Sequence, residues 1–178
     1  MHGLTIIPAI DADGRLYRVE KMEAHRQDLL HLAISVFVFS AGRLLIQKRA
    51  EGKYHSGGLW ANSCCTHPDW GEDMEEAAHR RLREELAMSV PHLEYRSTLD
   101  YRAQVADDLW EHERVHVFRY ASDEELALPK AVPEEVSETR WVDVGELRSQ
   151  VDRFPQHFAP WFRIYVARWD ELNLGYAT

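Results

Sequence analysis

The only two cysteines of this chain, Cys64 and Cys65, are adjacent. A disulfide needs Cα atoms further apart than neighbouring residues allow, so no internal covalent staple can hold the fold. Side-chain burial must do so instead. With 178 residues, 45% of them hydrophobic, the chain suits one domain with a real core. The first 30 residues carry Asp11, Asp13, Glu20 and Glu23 and no continuous apolar stretch, so no signal peptide is visible. Together with free thiols this points to the cytoplasm. The longest apolar run, residues 32–39, is too short to span a bilayer. A net charge of -9 argues against a generic nucleic-acid binder, which needs a basic face. It also means that an anionic ligand would need a local basic pocket.

The pattern along the chain predicts strands first. Residues 4–10 and 16–20 flank Asp11-Ala-Asp-Gly14, a hairpin turn. Residues 32–39 and 44–48 flank a second turn at Ser40-Ala-Gly42, and residues 53–58 form a glycine-containing loop. Residues 73–87 read as a helix that buries Ala77, Ala78, Leu82 and Leu86 and pairs Glu76 with Arg80 one turn on. Residues 92–103, 109–120 and 139–142 are further strands. Asp143 caps a helix running to about Val151, and Pro160 starts a last helix through Trp161, Ile164, Tyr165, Arg168 and Leu172. There are no repeats and no linker. Strands, a helix, strands and then helices imply an α+β fold, an α/β sandwich around a mixed sheet.

Within this frame some residues suggest chemistry. Glu111 and Glu113 lie two apart on a predicted strand and share a face. With His25, His31 and His67 they could form an N3O2 donor set, suited to Mn, Mg, Fe or Zn rather than to a thiolate zinc site. The alternative is a set of scattered histidines and a solvated Glu-His-Glu strand. His112 and His116 face away and read as surface or packing residues. In the run Trp60-Ala-Asn-Ser-Cys-Cys-Thr-His-Pro68, a thiol beside His67 is either packing or chemistry.

The helix beginning after Gly71 adds a register. Glu72, Arg80, Leu82, Glu84 and Glu85 fall on the Nudix pattern G-x5-E-x7-R-E-U-x-E-E-x-G-U, where U is aliphatic. Thr66 replaces its first glycine, Arg81 its central glutamate and Ala87 its last glycine. Nudix hydrolases use these acidic groups to hold metals that activate water. Exchanging one for Arg81 weakens hydrolysis and adds a cation suited to a diphosphate.

Taken together, the chain resembles the type I isopentenyl-diphosphate isomerases of the Nudix superfamily. The matching pieces are Lys21 ahead of His25, Leu30-His31-Leu32, Lys48-Arg49 with Lys53, residues 60–68, the altered helix, Tyr101-Arg102-Ala103, Glu111-His112-Glu113 and Pro160-Trp161. The resemblance implies one Nudix-like isomerase domain over residues 1–178, with its core at about 30–170. The implied reaction moves the double bond of isopentenyl diphosphate to give dimethylallyl diphosphate.

By the same resemblance Cys65 and Glu113 handle the two protons, Tyr101 hydrogen-bonds the glutamate and Trp161 faces cationic character. Cys65 is favoured over the extra thiol Cys64 because it stands two residues before His67. Lys21, Arg49, Lys53 and Arg81 would hold the diphosphate. His25, His31, His67, Glu111 and Glu113 would hold a divalent metal, Mn2+ or Mg2+, with Zn2+ as the alternative. A Mg2+ on the diphosphate would take Glu85 and the Cys65 carbonyl. The implied partner is a small diphosphate, bound to a monomer or homodimer. A Nudix pyrophosphohydrolase and a non-catalytic metal-binding module are the rival readings.

Overall fold

The computed structural model describes residues 4–176. In chain order the elements are β1 (Ile6–Ile10), β2 (Leu16–Glu20), α1 (Lys21–Arg26), β3 (His31–Ser40), β4 (Arg43–Arg49), β5 (Trp60–Ala61) and β6 (Cys64–Thr66). They continue with α2 (Met74–Leu86), β7 (Glu94–Ala106), β8 (Leu109–Ser122), β9 (Val136–Val142), α3 (Val144–Arg153), α4 (Pro160–Ala167) and α5 (Trp169–Leu172). Among the described residues the strands form one mixed sheet of nine. The expected α+β architecture is therefore what the chain forms.

Strand β3 is the hub. It runs antiparallel to β1, β4 and β6 and parallel to β8, from His31 opposite Glu113 to Ser40 opposite Ser122. Its nearly unbroken apolar sequence is what burial on both faces requires. Ala33, Phe37 and Phe39 join the core under α3, α4 and α5. Ile34, Val36 and Val38 pack towards α2, against Ala77, Ala78, Leu82 and Leu86. A third, small core of Ile7, Ala9, Val19 and Ala24 ties the first hairpin to α1.

Several local features differ from the sequence expectation. Helix α1 was not foreseen; its N-cap is Glu20, whose carboxylate accepts the Glu23 N–H at 3.0 Å. The last helix is not continuous. It breaks at Arg168, whose guanidinium donates to the Asp100 carbonyl at 2.8 Å and to Glu171, and restarts as α5. On α2, Arg80 pairs with Glu72 at 2.7 Å and Glu84 at 3.2 Å rather than with Glu76, because Glu72 folds back from the preceding loop. Asp73 caps this helix by accepting the Glu75 and Glu76 N–H groups. Ala87 ends it in the left-handed conformation, φ 48°, at the position where the Nudix pattern has glycine. No described helix is long and apolar enough to cross a membrane.

Candidate active site

Burial alternates along β8, so Glu111 and Glu113 continue the inward row of Val115 and Val117. Tyr101 stands directly opposite Glu113 on β7. Its hydroxyl lies 2.8 Å from Glu111 Oε2 and 2.6 Å from Glu113 Oε2, so one phenolic proton serves two buried carboxylates. Their Oε1 atoms face histidines. The parallel register sets His31 beside Glu113, and His31 Nε2 lies 3.5 Å from Glu113 Oε1 and 3.1 Å from His67 Nε2. His67 Nε2 is 2.9 Å from the same Oε1.

The outer nitrogens fix how the rings present themselves. His25 Nδ1 meets the Lys21 carbonyl at 2.7 Å, and His31 Nδ1 meets the Leu29 carbonyl at 2.7 Å. A carbonyl only accepts, so each Nδ1 carries the proton and each Nε2 points inward. His25 Nε2 is buried without a hydrogen-bond partner. Atoms of His25, His31, His67 and Glu113 lie within 4.8 Å of one another. These four could hold a divalent metal, and the hydrogen bonds that would orient His25 and His31 are in place. Glu111 does not join that group directly; it converges with His25 and His55 instead.

Electrostatics agree with this arrangement. Burial, then the neighbouring His31, lowers the His25 pKa, and burial pushes His67 well below its ordinary value. For His31 burial also acts downward, but the bond to and charge of Glu113 outweigh it and raise the pKa. Burial alone would raise Glu113. The bonds and charges of His31 and His67 prevail and hold it well below the usual carboxylate range. The shifts of His25, His67 and Glu113 favour neutral imidazoles and an ionised carboxylate, the forms that bind metal, whereas Glu113 shifts His31 the other way.

The adjacent thiols part company because strand side chains alternate. Cys64 is fully buried in the core against α2. Cys65 pairs with Ser35 across the β3–β6 ladder and lines a cleft with His67, Glu111, Glu113 and Trp161. Its thiol donates to Asn62 Oδ1 at 2.9 Å and lies 3.1 Å from Ser35 Oγ, which is 2.7 Å from the Tyr165 hydroxyl. Burial pushes the thiol pKa up, and the Ser35 bond opposes this only in part. Cys65 is therefore a protonated thiol at neutral pH.

Lys21, Arg49, Lys53 and Arg81 line the same cleft. Burial, then the charges of Lys53, Arg81 and Arg49, lowers the Lys21 pKa. Its ammonium sits 4.8 Å from the Tyr54 ring centroid. Lys53 Nζ binds Glu135 Oε2 at 2.6 Å. Arg81 reaches Glu84, Glu85 and Glu135 at 2.7, 2.6 and 3.3 Å. Glu85 also accepts the Gln47 amide at 2.8 Å. Arg49 stacks its guanidinium 5.2 Å from the centroid of Trp161, which is buried at the start of α4.

Of the residues singled out from sequence, Lys21, Arg49, Lys53, Cys65, His67, Arg81, Glu85, Glu111, Glu113 and Trp161 line this cleft, while His25, His31 and Tyr101 stand behind it, grouped with or bonded to Glu113. Sequence reasoning missed His55, Asn62, Ser35, Tyr165, Gln47 and Glu135. Only Ser35 carried a local signal, as a lone hydroxyl in an apolar strand. The residues set aside behave as expected: His112 hydrogen-bonds the Asp28 carbonyl and His116 packs edge-on to Tyr95.

The NUDIX domain family matches residues 29–162. The isopentenyl-diphosphate Delta-isomerase of Cereibacter sphaeroides is 49% identical over 163 residues, 92% of each chain. That of Rhodobacter capsulatus is 48% identical over 161 residues, 90% of each. A crystal structure from Deinococcus radiodurans superposes with a TM-score of 0.71 at 17% identity, over 92% of this chain and 98% of that one. A MutT NUDIX hydrolase from Burkholderia pseudomallei gives 0.58 at 21%, over 78% and 96%. These two structures speak for the fold alone. The fold defines a Nudix protein, with a His/Glu group that could hold a metal ion beside a cation-lined mouth. Within that class, the chain belongs to the isopentenyl-diphosphate Delta-isomerase family.

Proposed function

We infer that this chain interconverts isopentenyl diphosphate and dimethylallyl diphosphate, with Cys65 and Glu113 as its two proton-handling groups. The observation that carries the reading is that both line one cleft with four cations. Moving the double bond requires a proton added at C4 and another removed from C2. One of the two residues serves each carbon, and the roles exchange in the reverse direction. At rest the pair is a protonated thiol and an ionised carboxylate. Asn62 and Ser35 orient the thiol, and Tyr101 orients the carboxylate.

Protonating an unactivated alkene creates cationic character at the tertiary carbon, which must meet no water. Trp161 lines the cleft, and a desolvated indole face stabilises a cation by roughly 2 kcal/mol. Lys21, Arg49, Lys53 and Arg81 hold the diphosphate against the acidic net charge, so remote binding orients the reacting carbons. His25, His31, His67 and Glu113 would hold a divalent ion, with Glu111 adjacent. We favour Mn2+ or Mg2+, which tunes the acidity of Glu113 when bound. Glu85, with the Cys65 carbonyl, would serve a Mg2+ carried by the diphosphate. The two free thiols suit a cytoplasmic protein, acting as a monomer or homodimer.

The acidic residues of the pattern argue against hydrolysis. Arg81 stands where the pattern has its central glutamate, and Glu72 and Glu84 are engaged by Arg80 and Arg81, which leaves Glu85 as the one carboxylate of the pattern that lines the cleft. Incubating metal-loaded protein with isopentenyl diphosphate tests the reading. Dimethylallyl diphosphate without released phosphate is expected. Phosphate release without isomer would overturn it.

A further inference from the structure

We propose that Tyr165 is a positioning residue for the isomerisation: its hydroxyl, acting through Ser35, aims a hydrogen bond at the Cys65 sulfur, while its ring packs against Tyr101, which holds Glu113. The inference rests on the reading of Cys65 and Glu113 as the proton-handling pair. It adds a residue that is not among those lining the cleft.

The direction of each hydrogen bond follows from counting protons. Asn62 is fully buried, and its amide nitrogen gives both protons to carbonyls, of Val36 and Cys64, each at 3.1 Å. That fixes the amide, so the atom 2.9 Å from the Cys65 sulfur is Oδ1, which only accepts. The one thiol proton is therefore spent on Asn62. Ser35 Oγ, 3.1 Å from the sulfur, is then the donor in that contact. With its own proton so committed, Ser35 accepts from the Tyr165 hydroxyl at 2.7 Å. The result is a one-way chain from Tyr165 to Ser35 to Cys65 to Asn62. Ser35 and Tyr165 are both fully buried, so bulk water competes for neither hydroxyl.

The chain matters most during proton transfer. When the thiol gives its proton to the alkene carbon, the electron pair of the S–H bond stays on sulfur. Asn62 Oδ1 cannot donate to it. Ser35 is the donor already aimed at the sulfur, and Tyr165 polarises that hydroxyl by donating to it. The Ser35 bond tightens as charge develops, so it favours the transition state over the resting thiol.

Helix α4 delivers this group. Trp161 and Tyr165 lie one turn apart on it and are both buried. The Tyr165 ring meets Tyr101 edge-on, with centroids 5.6 Å apart at 86°, and Tyr101 hydrogen-bonds Glu113 at 2.6 Å. One side chain thus stands behind both proton-handling groups, hydroxyl towards the thiol and ring towards the carboxylate. Packing alone would be served by phenylalanine, which has no polar atom to bury.

Tyr165→Phe keeps the ring and deletes the first link of the chain. In the metal-loaded full chain its kcat should fall about tenfold, the worth of one hydrogen bond that strengthens in the transition state, with KM and metal content unchanged. Ser35→Ala should lose at least as much. The double variant should be no slower than Ser35→Ala, because Tyr165 acts on the thiol only through Ser35. Ser40→Ala deletes a buried hydroxyl at the other end of β3, bonded to the Glu124 carbonyl, and should keep its kcat. Infrared spectra report the chain without turnover: the S–H stretching band of Cys65, identified by its loss in Cys65→Ser, should shift in both single variants. Native kcat in Tyr165→Phe, additive losses in the double variant, a loss confined to KM, or an unshifted band would overturn the proposal and leave Tyr165 as packing. Either single variant decides through its kcat and band if the other fails to fold. A wild type without isomerase activity would strike the reading of Cys65 and Glu113, and the proposal with it.

Discussion

Glu135 occupies the place of an anionic ligand. Its Oε2 takes the Lys53 ammonium at 2.6 Å and an Arg81 nitrogen at 3.3 Å, and the three side chains are 28%, 19% and 20% exposed. Two unit charges about 4 Å apart attract by about 4 kcal/mol at an effective dielectric of 20. For partly exposed pairs, desolvation and side-chain ordering leave about 1 kcal/mol or less net. A diphosphate claiming both cations must displace this carboxylate. Glu135→Gln keeps the shape and an acceptor oxygen but removes the charge, so the cations stay oriented and lose their competitor. An increment of about 1 kcal/mol corresponds to roughly fivefold tighter binding. The inhibition constant of inorganic diphosphate should fall by that factor and KM with it, while kcat holds. High salt should shrink the difference, because the mouth is partly screened. Weaker inhibition by diphosphate in a folded variant would refute the reasoning and make Glu135 an organiser of the cations instead.

Three further outcomes follow from the geometry. Cys65→Ser should cut turnover severely, since a serine hydroxyl is a far weaker acid. Cys64→Ser should keep its rate per folded molecule but lose roughly 1–3 kcal/mol in denaturant unfolding, from a hydroxyl placed in an apolar core; equal turnover in both variants would remove Cys65 from the mechanism. Ala87→Gly should stabilise by about 1 kcal/mol, raising the melting midpoint by about 2–4 °C, because a left-handed alanine is strained where glycine is not; a lower midpoint would contradict it. The bond from Arg80 holds the Glu72 carboxyl below its usual range, so its stabilisation is full above the unfolded pKa near 4.3 and is lost as pH falls through the folded value. Glu72→Gln should therefore cost about 1 kcal/mol at neutral pH and progressively less in acid, and a cost constant with pH would deny the ion pair its role.

Strand β8 was legible because its apolar residues recur at the period of a pleat, β3 because it is a short, nearly unbroken apolar run, and α2 because an N-cap, a helical stripe and a family register coincide. The clustered histidines and glutamates were singled out only as a set, through spacing and resemblance. What sequence could not supply was pairing. The parallel register of β3 with β8, which sets His31 beside Glu113, leaves no trace in either segment alone. His55 is one histidine among ten, and its place beside Glu111 comes with a left-handed turn at Ser56 that no propensity foretells. The break at Arg168 involves no glycine or proline; tertiary hydrogen bonds to Asp100 and Glu171 make it. The expected Glu76–Arg80 pair failed because Glu72, eight residues back and outside the helix, is the nearer partner.

The central claim is that a thiol and a carboxylate in one cleft move protons at two carbons of an allylic diphosphate. Proton NMR of isopentenyl diphosphate incubated with metal-loaded protein in D2O tests it most directly, with Glu113→Gln run beside the wild type and checked for metal content. The wild type should form dimethylallyl diphosphate with deuterium in the product methyl group, and the variant should form neither product nor exchanged substrate. Product formed without solvent deuterium, or near-native exchange by Glu113→Gln, would contradict the account.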